Sequence, residues 1–212
     1  MNVLILAAGE FPRKAYPRYL LESADTVVCC DSAVKAALRF GIKPVAVVGD
    51  MDSVLNLKQL GFSGEIVRIE EQDDNDLTKA MKYVMEKWPD VEEITILGAT
   101  GKREAHTLGN LSLLMEYEKQ YGFWARGVAV QAVSDYSTSF VVGDTCSLEL
   151  GEGRAVSLFT CDQSLRVKSE GLQWKLDDVV FDNWWKATLN RATADTVKLT
   201  FNHPAPLLII LD

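Results

Sequence analysis

The chain has 212 residues, 48% of them hydrophobic and 25% charged, with a formal net charge of -8. That composition builds a real core and excludes wholesale disorder, while the acidic balance argues against a nucleic-acid-binding face and against binding to anionic membranes. Nucleotides stay open as ligands, because divalent cations let acidic sites hold phosphates.

The apolar start, Val3–Ala8, lacks a basic flank and is short for a secretory signal, so it reads as a buried strand. Further short apolar runs follow at Thr26–Cys30, Val45–Val48, Glu65–Ile69, Ile94–Leu97 and Val128–Val133. Several are apolar on both faces, as strands covered by helices on both sides must be. Cys29 and Cys30 are neighbours in one such run and point to opposite faces, which makes them poor disulfide partners. Cys146 and Cys161 complete the set without any C-x-x-C pair, so reduced thiols in a cytoplasmic protein are expected. No apolar run approaches the length of a membrane span.

Helices are predicted between the runs, over Ser32–Phe40, Val54–Leu60, Leu77–Trp88 and Thr107–Tyr121. The clearest is Leu77–Trp88, where Leu77, Ala80, Met81, Val84, Met85 and Trp88 form one apolar stripe and Pro89 follows as a stop. Alternating strands and helices imply right-handed crossovers and a parallel sheet. After about Asp135 the pattern changes to short strand-like runs: Ser139–Val142, Cys146–Leu150, Val156–Thr160, Leu165–Lys168, Leu172–Leu176, Val197–Phe201 and Leu207–Leu211. Turn residues such as Gly143-Asp144 and Gly151-Glu152-Gly153 separate them, so residues 136–212 read as a small antiparallel β-sandwich or barrel after an α/β domain of residues 1–135.

Ligands of an open parallel sheet bind beyond the carboxyl ends of its strands. Here those ends carry Asp31, then Gly49-Asp50-Met51-Asp52-Ser53, then Gln72-Asp73-Asp74-Asn75-Asp76, then Gly98-Ala99-Thr100-Gly101-Lys102-Arg103. Three strands bring carboxylates to one edge, and a fourth brings glycines with two cations. Clustered carboxylates repel, and magnesium, which takes one or two carboxylates together with waters and phosphate oxygens, relieves the repulsion. Lys102 and Arg103 suit the remaining phosphate charge. The pattern points to magnesium-dependent transfer of part of a nucleotide's phosphate chain. Bland readings stand beside it: Asp76 as the cap of the helix beginning at Leu77, Lys79 as a surface lysine, Glu70 and Glu71 as solvated acids, Trp174 as a core residue.

In this order the segments resemble the thiamine pyrophosphokinase family. The matching stretches are Cys30-Asp31-Ser32-Ala33, Gly49–Ser53, Gln72-Asp73-Asp74-Asn75-Asp76-Leu77-Thr78-Lys79-Ala80, and Gly98–Arg103 with His106 and Asn110. Gly171–Leu176 and Leu189-Asn190 add weaker matches. The resemblance implies a Rossmann-like catalytic domain and a β domain, working as a homodimer with sites at the subunit interface. It implies a thiamine diphosphokinase that uses ATP and Mg2+ to convert thiamine to thiamine diphosphate with release of AMP. Asp50, Asp52 and Asp76 then look like the catalytic and metal carboxylates. Asp31, Asp73, Thr78, Lys79, Thr100, Lys102 and Arg103 look like the nucleotide side, and Gln72, Trp174 and Asn190 like thiamine contacts.

Two stretches depart from the family pattern. G-G-R-x-D-H reads Gly101-Lys102-Arg103-Glu104-Ala105-His106, and G-x-S-N-E reads Ala187-Thr188-Leu189-Asn190-Arg191. Two rival functions are a sugar-phosphate nucleotidyltransferase, suggested by Leu6–Arg13 but with Phe11 where a loop glycine belongs, and a thiamine- or nucleotide-binding module without turnover.

Overall fold

The computed structural model describes residues 1–52 and 57–212. The chain divides into two compact units, Met1–Leu111 with Val128–Asp135, and Ser112–Gly127 with Tyr136–Asp212.

The first unit is built on β1 (Asn2–Leu6), β2 (Val27–Cys30), β3 (Ala46–Gly49), β4 (Glu65–Arg68), β5 (Glu93–Leu97) and β6 (Ala129–Val133). All pair in parallel in the order β6-β5-β1-β2-β3-β4. The run β1 to β4 grows outward in one direction, and the chain then returns to place β5 on the other side of β1. That reversal between β1 and β5 is a switch point, where an open α/β sheet leaves a crevice beyond its carboxyl ends. Val3, Leu4, Ile5 and Leu6 of β1 are all buried, as the continuous apolar run requires of a central parallel strand.

Around this sheet lie α1 (Ala15–Ser23), α2 (Ala33–Arg39), α3 (Asp76–Lys87) and the first part of α4 (Glu104–Tyr121). Leu77, Ala80, Met81 and Val84 of α3 are buried and the helix packs on β1, β2 and β3. Each large side chain in that stripe contributes about 1.5–3 kcal/mol by burial. The helix ends at Lys87 with Trp88 as its C-cap, just before Pro89, as the stop signal predicts. The predicted helix over Val54–Leu60 lies outside the described residues for 54–56, as does Ser53; Leu57–Leu60 is a single 3-10 turn.

Helix α1 has no sequence signal of its own. Its N-cap position, Lys14, makes no side-chain cap bond, and Pro17 stands in its first turn, where a missing N–H costs nothing. The cap comes from far along the chain. The Asp135 carboxylate at the end of β6 accepts the Arg13 N–H at 2.9 Å and the Lys14 N–H at 2.9 Å.

The second unit holds two antiparallel sheets. One has the order β11 (Asn190–Arg191), β9 (Ala155–Phe159), β13 (Leu207–Leu211), β7 (Thr138–Val142); the other runs β10 (Val167–Glu170), β12 (Thr196–Phe201), β8 (Cys146–Glu149). Val197, Leu199 and Phe201 of β12 share one core with Val156, Leu158, Leu207 and Ile209, while the alternate residues Lys198 and Thr200 are exposed. The sheets stay open, so the arrangement is a sandwich and no barrel closes. The expected strand Leu172–Leu176 is absent: Leu172 makes one isolated bridge to Ala192, and turns follow. A 3-10 turn at Trp184–Ala187 and the short β11 take up the stretch where no element is predicted. The second half of α4 and the short α5 (Phe123–Arg126) cluster with this unit, across the expected boundary at Asp135. Gly143, ahead of β8, explains the association. A Cβ there would lie 3.1 Å from Glu118 Oε1 and 3.1 Å from Trp124 Cβ, so backbone and helix surface meet directly.

Candidate active site

The crevice at the switch point is real. It has a volume of about 440 Å³ and is walled by Ala7–Gly9 after β1, by Asp31 after β2, by Asn75 and Asp76 at the start of α3, and by Gly101–Arg103 after β5. Its β1 and β5 lips are zipped together: the Gly9 N–H donates to Gly98 O and the Glu10 N–H to Thr100 O, both at 2.8 Å. A Cβ at Gly9 would stand 2.3 Å from Gly98 O, so only glycine permits the approach.

On one side the carboxylates meet. Asp31 is 5% exposed, takes a φ of 34°, and among the described residues its Oδ1 has no hydrogen-bond partner. Gly49 lets Asp31 and Asp76 close on each other, since a Cβ there would lie 2.9 Å from Asp31 Cβ and 3.3 Å from Asp76 Oδ1. Asp50 follows directly, and its Oδ1 accepts the Asp52 N–H at 3.1 Å across Met51, which is held at a φ of 64°. Burial first, then the charges of Asp31 and Asp50, push the Asp76 carboxyl above its ordinary pKa, with Lys79 opposing them. Asp76 does not cap α3. Asn75 does, accepting the Thr78 N–H at 2.9 Å, and Asp76 sits in the first turn. Among the described residues no three His, Cys, Asp or Glu side chains form a ready-made metal cluster. A magnesium ion needs fewer, and an unpartnered buried carboxylate oxygen beside a crowded Asp76 is a donor set that a hard cation satisfies.

The remaining expected nucleotide residues, together with Gln72 of the expected thiamine contacts, fall in three groups. Lys102 and Arg103 are exposed at the wall of the crevice, with His106 one turn further on, and Thr100 is half-buried beside them. Lys79 is neither a surface lysine nor a crevice residue: it is 2% exposed and donates from Nζ to Ile69 O at 3.1 Å, tying α3 to the end of β4. Thr78 is buried beside it. Asp73 and Gln72 lie exposed in the loop before α3, where Gln72 Nε2 donates to Glu70 O at 3.1 Å; Glu70 and Glu71 are also exposed. Asp74 braces that loop through its N–H to Glu71 Oε1 and an ion pair with Lys82.

A clasp between Asn75 and Asn110 has no expected role in the sequence reading. Asn75 Nδ2 donates to Asn110 Oδ1 at 3.0 Å, and Asn110 Nδ2 donates to Ala99 O at 2.7 Å. It links the α3 cap to the β5 end and so fixes the acidic side against the basic side. Only the spacing of a motif quoted for resemblance marks these residues; their pairing is a tertiary fact.

In the second unit Trp174 is 55% exposed, so it is not a core residue. Asn190 is 3% exposed and its amide is engaged with backbone: Nδ2 donates to Trp174 O at 2.7 Å, and Oδ1 accepts the N–H groups of Trp174 and Arg191. Asn190 therefore positions the tryptophan segment. Trp184, Trp185 and Leu189 are exposed as well, Leu189 at a φ of 55°.

Residues 17–123 match the family model described as the catalytic domain of thiamin pyrophosphokinase, and residues 139–205 match its substrate-binding domain. The chain belongs to the thiamin pyrophosphokinase family. A thiamine pyrophosphokinase 1 of Oryza sativa subsp. japonica is 28% identical over 178 residues, 77% of this chain and 64% of the relative. A thiamine pyrophosphokinase of Bacillus subtilis is 35% identical over 88 residues, 40% of each chain. The matched stretches thus cover less than two thirds of these relatives. Among solved structures, the thiamine pyrophosphokinase of Bacillus subtilis superposes with a TM-score of 0.78 at 19% identity, covering 100% of this chain and 99% of the other. The yeast thiamin pyrophosphokinase gives 0.75 at 14%, covering 100% and 86%. Both bear out the α/β plus antiparallel β architecture. Thiamin pyrophosphokinase membership also displaces the nucleotidyltransferase reading, and Phe11 agrees: its ring packs edge-on against Phe40, 5.2 Å between centroids. Among the described residues no helix is long and apolar enough to cross a membrane.

Proposed function

We propose that this chain transfers the pyrophosphoryl group of ATP to the hydroxyl of thiamine, giving thiamine diphosphate and AMP, as a cytoplasmic homodimer that requires Mg2+. The observation that carries the reading is the crevice itself, lined by Asp31 and Asp76 and by Lys102 and Arg103, with Asp50 near enough to act on Asp76. Family membership supplies the acceptor.

In this reading Asp50, Asp52 and Asp76 hold the metal, and Asp31 joins them through its unpartnered oxygen. When bound, the ion would neutralise charge on the phosphates and help to orient them. Lys102 and Arg103 hold phosphate oxygens, with Thr100 and Asp73 near the nucleotide. Thr78 and Lys79 act from beneath, Lys79 by balancing the acids with a buried cation. Trp174 offers an exposed aromatic face to the cationic thiazolium, and Gln72 a polar contact. Asn190 keeps the Trp174 segment in place. In the dimer, the nucleotide side comes from one protomer and Trp174 from its partner.

The test is product analysis with purified protein, ATP, magnesium and thiamine. Equal amounts of AMP and thiamine diphosphate, abolished by EDTA, support the reading. Thiamine monophosphate with ADP, release of inorganic pyrophosphate, or full activity in EDTA each overturn it.

A further inference from the structure

Lys102 stands out from the other cations of the crevice by what its backbone and its ammonium are doing. Its φ is 63°, a left-handed conformation that a side chain disfavours, and Gly101 before it is also left-handed at 79°. The Arg103 N–H donates to Gly101 O at 2.8 Å, closing a three-residue γ-turn with Lys102 at its centre. Turns of this hand are rare and strained. Strain held at a cleft wall signals a constraint other than folding. Only glycine fits ahead of the turn, because a Cβ at Gly101 would lie 2.6 Å from Glu10 Cβ. Within it, the exposed Lys102 extends across the crevice lip and donates from Nζ to Ala8 O at 2.8 Å.

That partner matters. Ala8 O is a neutral acceptor, and the Glu10 carboxylate beside the turn is paired with Arg13 at 3.5 Å. An ammonium held by a carbonyl alone retains its full charge and gains by exchanging that carbonyl for an anionic oxygen. Asp31 and Asp76 line the same crevice and, unless a cation covers them, repel a phosphate chain. The crevice is therefore polarised, and each added phosphate increases what the cationic side contributes.

We infer that Lys102 is the specificity-determining residue by which the crevice prefers a nucleoside triphosphate over a nucleoside monophosphate, its ammonium leaving the Ala8 carbonyl for the polyphosphate. The inference rests on the reading that this crevice takes ATP. It would let the monophosphate product leave readily and be replaced by the triphosphate, without altering the overall equilibrium.

Equilibrium binding without thiamine tests it, using ATP and AMP, each with magnesium, on wild type, Lys102→Gln and Lys102→Arg. Glutamine keeps the Cβ, the turn and a donor for Ala8 but loses the charge. Lys102→Gln should weaken ATP by about tenfold and AMP by less than about twofold, the loss expected for one charge-assisted bond. Retained AMP binding shows that the crevice is intact. Lys102→Arg should stay within about threefold of wild type for ATP, because the charge is kept. Equal losses for ATP and AMP, no loss for ATP, or an arginine variant as weak as the glutamine variant would each overturn the inference. Wild-type protein that binds neither nucleotide would sink the ATP reading itself, a result distinct from these.

Discussion

Asp31→Asn separates function from stability. The wild-type carboxylate is buried, one of its oxygens has no partner, and it sits with Asp76 and Asp50 around Gly49. An unsatisfied buried acceptor costs about 1–3 kcal/mol, and more when charged. Asparagine keeps the shape, removes the charge and brings donor hydrogens among carboxylates. The metal-free variant should therefore gain on the order of 1–2 kcal/mol, which for a chain of this size raises the melting temperature by roughly 2–8 °C. Turnover should fall by at least about 100-fold if Asp31 helps to hold the ion, by analogy with loss of a preorganised charge contact.

The pH dependence has a definite sign. Asp76 is raised in the folded state, so the folded protein binds more protons than the unfolded chain once pH exceeds the ordinary carboxylate value. Metal-free wild type should thus lose stability as pH rises from about 4 through the raised value. Asp31 is the second cause of the rise, after burial, so the loss should shrink in Asp31→Asn. Thermal melts in EDTA across pH, with turnover under saturating ATP and magnesium, provide the readouts. A variant that melts below wild type, or one that keeps wild-type turnover, would refute the reasoning.

Asp135→Ala should uncap α1 and loosen the loop carrying Ala8–Glu10, costing about 0.5–2 kcal/mol and raising the KM for ATP more than it lowers kcat; Asp135→Asn, which keeps one acceptor oxygen for the two 2.9 Å bonds and loses only the second contact to Arg13, should restore most of both. The Asp162 carboxyl is held well below the usual carboxylate range by His203 and then by Ser164. Its contribution is present above the ordinary carboxylate pKa and is lost as pH falls through the folded value, so Asp162→Asn should lower the urea midpoint at about pH 6 and converge with wild type in strong acid. An equal gap at every pH would exclude that pair as the cause. Asp52→Asn and Trp174→Ala should each be weak alone, yet mixing with subunit exchange should restore about half of wild-type activity per heterodimer, since a two-fold dimer then has one site free of both changes. No recovery despite exchange would place both residues in one protomer's site.

Periodicity marks the α3 stripe, and apolar runs mark the parallel strands, of which β2 and β3 are buried throughout while β4 at the sheet edge is largely exposed; the acids at their ends follow once the sheet is parallel. What the sequence conceals is set by distant partners. Helix α1 takes its cap from Asp135, more than a hundred residues away, and carries Pro17 where a local reading stops. Lys79 looks like a surface lysine on an amphipathic helix, but Ile69 O gives its ammonium a buried partner. Asn190 matches a ligand position, while its amide is committed to the Trp174 backbone. The run Leu172–Leu176 has strand composition, yet Leu172 and Leu176 are buried without ladder partners beyond one bridge. Gly49 is legible only as part of a motif; that it makes room for two carboxylates to meet is visible only in three dimensions.

The most direct measurement of the central claim follows the fate of the β-phosphorus. Purified protein is given magnesium, thiamine and ATP labelled at the β position, and the products are separated. The account predicts that all transferred label appears in thiamine diphosphate and the released nucleotide is unlabelled AMP. Label retained in ADP, or released as inorganic pyrophosphate, would contradict it.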